Sequence, residues 1–132
     1  MDKLRASLGA FLDADEIFEP SNPNYEKESQ VWAAHKFEHP QLVVRPKTID
    51  SLSKLLKTLN ETDVEVAIRG GGCGSVSTPG VLVSMSAFDG FEFNEKDETV
   101  TIGAGQVWRD IDRKVEEAAP GYSGKRGQPS KR

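Results

Sequence analysis

Residues 69–75 read Arg-Gly-Gly-Gly-Cys-Gly-Ser, four glycines in five positions, directly after the alternating run Val64–Ile68. Neither helix nor strand can pass through them, because each glycine loses more conformational freedom on folding than any other residue. A chain keeps such a loop where its backbone must come close to a ligand, or where positive φ is required. Successive N–H groups in such turns form a concave nest that binds anions, phosphates above all. Arg69 would add charge there and Ser75 a hydroxyl donor. The plain alternative, a flexible surface turn, stays open on composition alone.

Two familiar phosphate loops fail on spacing. A dinucleotide-binding G-x-G-x-x-G from Gly70 needs glycine where Ser75 stands, and one from Gly103 needs it where Trp108 stands. A Walker loop ending at Gly124-Lys125 needs glycine at Ala119 and a hydroxyl at Arg126.

The pattern around the loop is mixed. Leu4, Leu8, Phe11 and Leu12 fall at helical spacing, and the Pro/Asn-rich stretch 19–24 marks a loop. Val31–Phe37 reads either way. A short strand is expected at Leu42–Arg45, closed by Pro46. Thr48 is placed to cap a helix over Ile49–Leu59, with Ile49, Leu52, Leu55, Leu56 and Leu59 on its apolar side. Val64–Ile68 alternates as a strand and, preceding the loop, is expected to be buried. Strands follow at Val81–Met85, Phe91–Asn94 and Thr99–Ile102, the last two close enough for a hairpin. Gly103-Ala104-Gly105 ends the sheet. A final helix, Gln106–Ala118, turns Val107, Ile111 and Val115 inward and stops at Pro120-Gly121. The expected class is α+β, with a parallel pair first and antiparallel strands after it. Residues 1–23 form an N-terminal helix and linker, 24–122 the domain, and 123–132 a basic tail without large apolar side chains, expected to be disordered.

Composition narrows the function. With 36% hydrophobic and 29% charged residues, 132 residues make one soluble globular domain. Net charge is −4, and four of the 17 basic residues (Lys125, Arg126, Lys131, Arg132) crowd into the last ten positions, leaving an acidic body. That argues against nucleic acid as a partner, which would need a basic stripe. No stretch approaches the ~20 apolar residues of a membrane span, and no signal-peptide pattern opens the chain, so no membrane partner and a cytoplasmic location are expected. The single cysteine, Cys73, excludes an internal disulfide and a multi-cysteine metal site.

Other residues carry less. Cys73 could be a reactive thiol among loop amides, though a lone cysteine is more often a small packing residue. His35 and His39 stand four apart, but Pro40 disfavours a helix at His39 and no further soft ligand exists, so no metal is expected. Trp32 and Trp108 are expected to pack at apolar helix positions. Glu26, Glu28, Glu116 and Glu117 read as solvated faces, and no catalytic residue is assigned.

The stretch LVVRPKTIDSLSKLLKTLNETDVEVAIRGGGCGS, followed by GVLVSMSAFDGFEFNEKDETVTIGAGQVWRDI, resembles one family. It is similar to the N-terminal FAD-binding subdomain of the p-cresol-methylhydroxylase (PCMH)/vanillyl-alcohol-oxidase superfamily, in its berberine-bridge-enzyme-like branch. The likeness covers about residues 24–122. It rests on the V-x-P entry to the first long helix, the R-G-G-G loop, the apolar strand ending Met85-Ser86, and the run T-V-T-I-G-A-G-x-x-W.

The resemblance implies the PCMH-type FAD-binding fold, a loop of Arg69, Gly70, Gly71, Gly72, Cys73, Gly74 and Ser75 wrapped around the FAD diphosphate, and an oxidoreductase oxidising an organic small molecule with oxygen as acceptor. Many relatives carry a flavin-linked histidine where Cys73 stands, so the FAD is expected to be noncovalent. Relatives also continue past Gly121 with a second cofactor segment and a substrate domain, which implies a truncated chain here. A different class of reading therefore stands beside the first: an inactive remnant, or a noncatalytic phosphate- or nucleotide-binding module.

Overall fold

The computed structural model of the chain describes residues 1–72, 74–125 and 128–131. Its centre is a four-stranded sheet in the order β1-β2-β4-β3, made of Ile17–Phe18 (β1), Leu42–Val44 (β2), Val66–Arg69 (β3) and Val81–Ser84 (β4). β2 and β3 both run parallel to β4, which lies between them, while β1 pairs antiparallel with β2 through Ile17↔Val44 and Phe18↔Val43.

Both faces of this sheet are covered, which is why β2 and the Val81–Val83 part of β4 are apolar runs and not alternating ones. On one face α1 (Asp2–Leu8) and α3 (Ile49–Asn60) press Leu4, Leu8, Leu55 and Leu59, together with Leu12, onto Ile17, Leu42, Val44, Val81 and Val83. On the other, α2 (Tyr25–Ser29) brings Tyr25 against Phe18, Val43 and Leu82. The Tyr25 hydroxyl donates to the Pro40 carbonyl oxygen at 2.6 Å, and burial holds its pKa above the ordinary phenol value. Thr48 caps α3 as its position suggested. Its Oγ1 accepts from the Ser51 N–H at 3.1 Å and the Ser51 Oγ accepts from the Thr48 N–H at 3.2 Å, so two orphan donors are satisfied at once.

A smaller unit follows. β5 (Phe91–Asn94) and β6 (Thr99–Ile102) form an antiparallel hairpin with Phe91 opposite Ile102, and α4 (Trp108–Ala118) buries Ile111 and Val115. β7 (Tyr122–Lys125) and β8 (Gln128–Lys131) pair antiparallel beyond it. Among the described residues no helix is long and apolar enough to cross a membrane.

Several expectations need correction. Val81–Ser84 does not begin an antiparallel series; it inserts as a parallel strand between β2 and β3, since only there are both its faces covered. β3 is consequently an edge strand and not a buried one, with Ile68 52% exposed. On α3 the inward stripe is Leu52, Leu55 and Leu59, while Ile49 and Leu56, also expected there, are 78% and 38% exposed. Most of the β7–β8 pair falls within the segment 123–132. Tyr122 starts that pair, its ring edge-on to Phe93 at 6.0 Å and its hydroxyl donating to Glu98 Oε1 at 3.2 Å. Arg126, Gly127 and Arg132 of that segment lie outside the described residues. Neither tryptophan is buried. Trp32 follows α2 on an irregular segment, and Trp108 opens α4 half in solvent. The two-residue β1 and the short 3-10 turn Ala34–Lys36 had no distinct signal in the sequence.

Candidate functional site

β3 ends at Arg69, whose carbonyl oxygen still accepts from the Met85 N–H at 2.8 Å, and the chain then leaves the sheet as the glycine loop. The loop lies on a second turn, 103–107, that leads from β6 into α4. The two backbones approach closely at Gly70 and Gly71, with the Val107 side chain beside them. A Cβ on Gly71 would sit 2.7 Å from the Gln106 carbonyl oxygen, and one on Gly105 would sit 2.1 Å from that of Met85, so neither position accepts a larger residue without backbone movement. Gly72 has φ +86°, in the left-handed region open to glycine.

A cleft of about 1000 Å³ opens over this junction. Gly70, Gly71, Gly72 and Ser86 line it, together with Gly105, Val107 and Arg109 from the second turn and α4 and with Lys27, Gln30, Val31 and Trp32 from α2 and the segment after it. Among the described residues no backbone carbonyl accepts from the N–H groups of Gly70, Gly71 or Gly72. Val107 has no side-chain oxygen to cap α4, so the positive end of that helix also borders the cleft. Lys27 and Arg109 add cationic charge.

Arg69 takes another part from the one its position suggested. Its guanidinium is buried, at 8% exposure, and donates from Nη1 to the Gln30 carbonyl oxygen at 2.6 Å. From Nη2 it donates to the Glu28 carbonyl oxygen at 2.6 Å and to Ser84 Oγ at 3.3 Å. Burial holds its pKa below the ordinary arginine value, and the nearby Glu28 carboxylate, itself paired with Arg45 at 3.1 Å, offsets part of that. Arg69 thus fastens the segment after α2 to the sheet beneath the loop. The polar chain continues outward, as Ser84 Oγ donates to Ser86 Oγ at 3.1 Å, in the cleft floor. Ser75, at φ +51°, accepts at Oγ from the Ala33 N–H at 3.0 Å and ties the far end of the loop to the same segment.

Of the seven loop residues singled out, Arg69, Gly70, Gly71 and Gly72 border the cleft. Gly74 is exposed one step further along, Ser75 braces the loop from behind, and Cys73 lies outside the described residues. His35 sits in the 3-10 turn, and His39, at φ +51°, has its ring 4.3 Å from that of Phe37. Among the described residues no three His, Cys, Asp or Glu side chains group to hold a metal. Sequence reasoning missed Lys27, Gln30, Trp32, Ser86, Gly105, Val107 and Arg109 as neighbours of the loop. The run Gly103-Ala-Gly105 before a helix was the one available signal, and it reads equally as a simple end to the sheet.

A diphosphate suits such a surface. The glycine N–H groups have no backbone acceptor among the described residues, the start of α4 is positive, and Lys27 and Arg109 line the same cleft.

Comparison with known proteins agrees. Residues 40–123 match the model of the FAD binding domain family. The FAD-dependent monooxygenase macF of Penicillium terrestre is 26% identical over 111 residues, which cover 79% of this chain and 21% of that protein. Among solved structures, BBE-like 1 of Physcomitrella patens superposes with a TM-score of 0.76 at 21% identity, covering 87% of this chain and 26% of its own. The 6-hydroxy-D-nicotine oxidase of Arthrobacter nicotinovorans gives 0.74 at 16% identity, covering 82% and 24%. The chain therefore spans about a fifth of the curated relative and about a quarter of each solved one, and its architecture is the PCMH-type FAD-binding fold expected from the sequence. By the match over residues 40–123, the chain belongs to the FAD binding domain family.

Proposed function

We propose that the cleft over Gly70–Gly72 takes the diphosphate of FAD, and that the chain provides this wall of the cofactor pocket in an FAD-dependent oxidoreductase acting on an organic small molecule, with oxygen as electron acceptor. One observation carries the reading: the amides of Gly70, Gly71 and Gly72 have no backbone acceptor among the described residues and floor a cleft flanked by Lys27, Arg109 and the start of α4. When bound, FAD supplies the hydride-accepting isoalloxazine ring. The chain's own residues bind and orient. The glycine amides and Ser86 hold phosphate oxygens, the two cations balance their charge, and Arg69 with Ser75 keeps the walls in register. The relatives' names, an FAD-dependent monooxygenase and an oxidase, support the same class. With cysteine at position 73 the cofactor is held noncovalently.

A titration of the purified chain with FAD, ADP and inorganic pyrophosphate by calorimetry tests this. FAD is expected to bind more tightly than ADP, yet weakly enough to be lost on gel filtration, because one wall makes only part of the cofactor's contacts. Equal affinities for FAD, ADP and pyrophosphate would favour the second reading, a phosphate-binding module indifferent to flavin. No binding of any of the three at millimolar concentration would end both.

A further inference from the structure

Trp32 is 87% exposed, the most exposed of the large apolar side chains, and it borders the cleft. Its main chain is nonetheless held on both sides. Gln30 accepts from Arg69 Nη1 at 2.6 Å, and the Ala33 N–H donates to Ser75 Oγ at 3.0 Å. Both partners belong to the glycine loop, one at each end of it. The indole thus stands on a segment tied at residues 30 and 33 to the loop that floors the cleft, with its ring face open to water. An aromatic plate beside a phosphate-binding surface recognises a ligand that carries both a phosphate and a planar ring, because stacking requires only a π face.

We propose that Trp32 is a ring-stacking residue, laying its indole against one planar ring of the dinucleotide whose diphosphate lies on Gly70–Gly72. This rests on the reading of the cleft given above. A division of labour follows. The amides respond to phosphate of any origin, and Trp32 supplies the preference for a nucleotide over a bare pyrophosphate.

Trp32 and Trp108 are the chain's only tryptophans, so a nitrogen-15 spectrum shows two indole signals, and Trp32→Phe assigns them. The whole chain is titrated with pyrophosphate, ADP, FMN and FAD. The amide signals of Gly70–Gly72 are expected to move with all four, and the Trp32 indole with FAD but not with pyrophosphate. Movement with ADP alone assigns the adenine ring, movement with FMN alone the isoalloxazine ring, and movement with both a plate that accepts either. All three support the proposal. Trp32→Ala is expected to weaken FAD about tenfold while leaving pyrophosphate unchanged, and Trp32→Phe to retain most of the affinity. An exposed side chain makes neither substitution a threat to folding. Should the glycine amides respond while the Trp32 indole stays still and Trp32→Ala binds FAD like the parent, Trp32 is no stacking residue and the cleft survives. An indole that moves as much with pyrophosphate as with FAD also overturns the proposal. Silence from the glycine amides and the indole alike would remove the cleft and the stacking residue together.

Discussion

The four-stranded unit and the hairpin unit solve the same folding problem with different reserves. In the first, all of β2 and β4 is buried and two helices close one face. In the second, no residue of β5 or β6 is fully buried, and α4 contributes Ile111 and Val115 as its inward anchors. The first holds itself together by packing; the second depends on its join to the first, made by the backbone contacts at Gly71 and Gly105. The cleft lies at that join, between a firm floor and a lighter wall.

Four experiments probe this contrast, in falling order of effect. Leu55→Ala removes a fully buried side chain beneath the sheet and is expected to cost about 3 kcal/mol in urea unfolding, against about 1 kcal/mol for Val100→Ala in the hairpin. Equal losses would mean that the two units are packed alike. Gly105→Ala drives a Cβ onto the Met85 carbonyl oxygen and is expected to cost about 2 kcal/mol, while Gly90→Ala, with nothing within 4 Å, leaves the unfolding midpoint in place. If both variants melt like the parent, the units are not joined by close backbone contact.

Arg69→Met leaves the Glu28 and Gln30 carbonyls without their donor, and an expected loss of about 2 kcal/mol should come with faster amide exchange at residues 30–33. Unchanged exchange there would separate Arg69 from the placement of Trp32. The smallest effect belongs to the exposed pair Lys47–Asp15. The Lys47 hydrogen bond holds the Asp15 pKa below the ordinary carboxylate value, so this stabilisation is present above that value and is lost as pH falls through the depressed one. Asp15 likewise raises the Lys47 pKa, so that share is present below the ordinary lysine value and is lost as pH rises through the raised one. Lys47→Met is therefore expected to lower the thermal midpoint slightly at pH 7 and progressively less as the pH falls through the depressed Asp15 value, by calorimetry.

What could be read from the sequence tracks where the physics is local. Thr48 as a cap, the helix behind it, and the β5–β6 hairpin with its Phe91–Asn94 and Thr99–Ile102 strands all depend on neighbours within a few residues, and they were legible. The insertion of β4 between β2 and β3 was not, because strand order is set by crossovers that periodicity does not encode. The same distinction divides the site. The glycine run announced a special backbone. Its companions Ser86, Gly105 and Arg109, and above all Trp32, are brought to it only by the fold, and a tryptophan in a segment of mixed pattern reads by default as core. Arg69 shows the limit from the other side. Its place at the head of the loop suggested a phosphate contact, whereas its guanidinium turned inward to unpaired carbonyls 39 and 41 positions earlier in the chain.

The meeting of Gly71 with Gln106 and of Gly105 with Met85 has a mechanical consequence. The tightest contacts at both glycines are to main-chain carbonyl oxygens, which cannot swing aside as a side chain can, so the junction behaves as a weld and not as a hinge. An anion seated across it would touch both units at once and act as a clamp. Its arrival would be felt most in the less protected partner, as slower amide exchange along β5 and β6, several residues from any atom it touches.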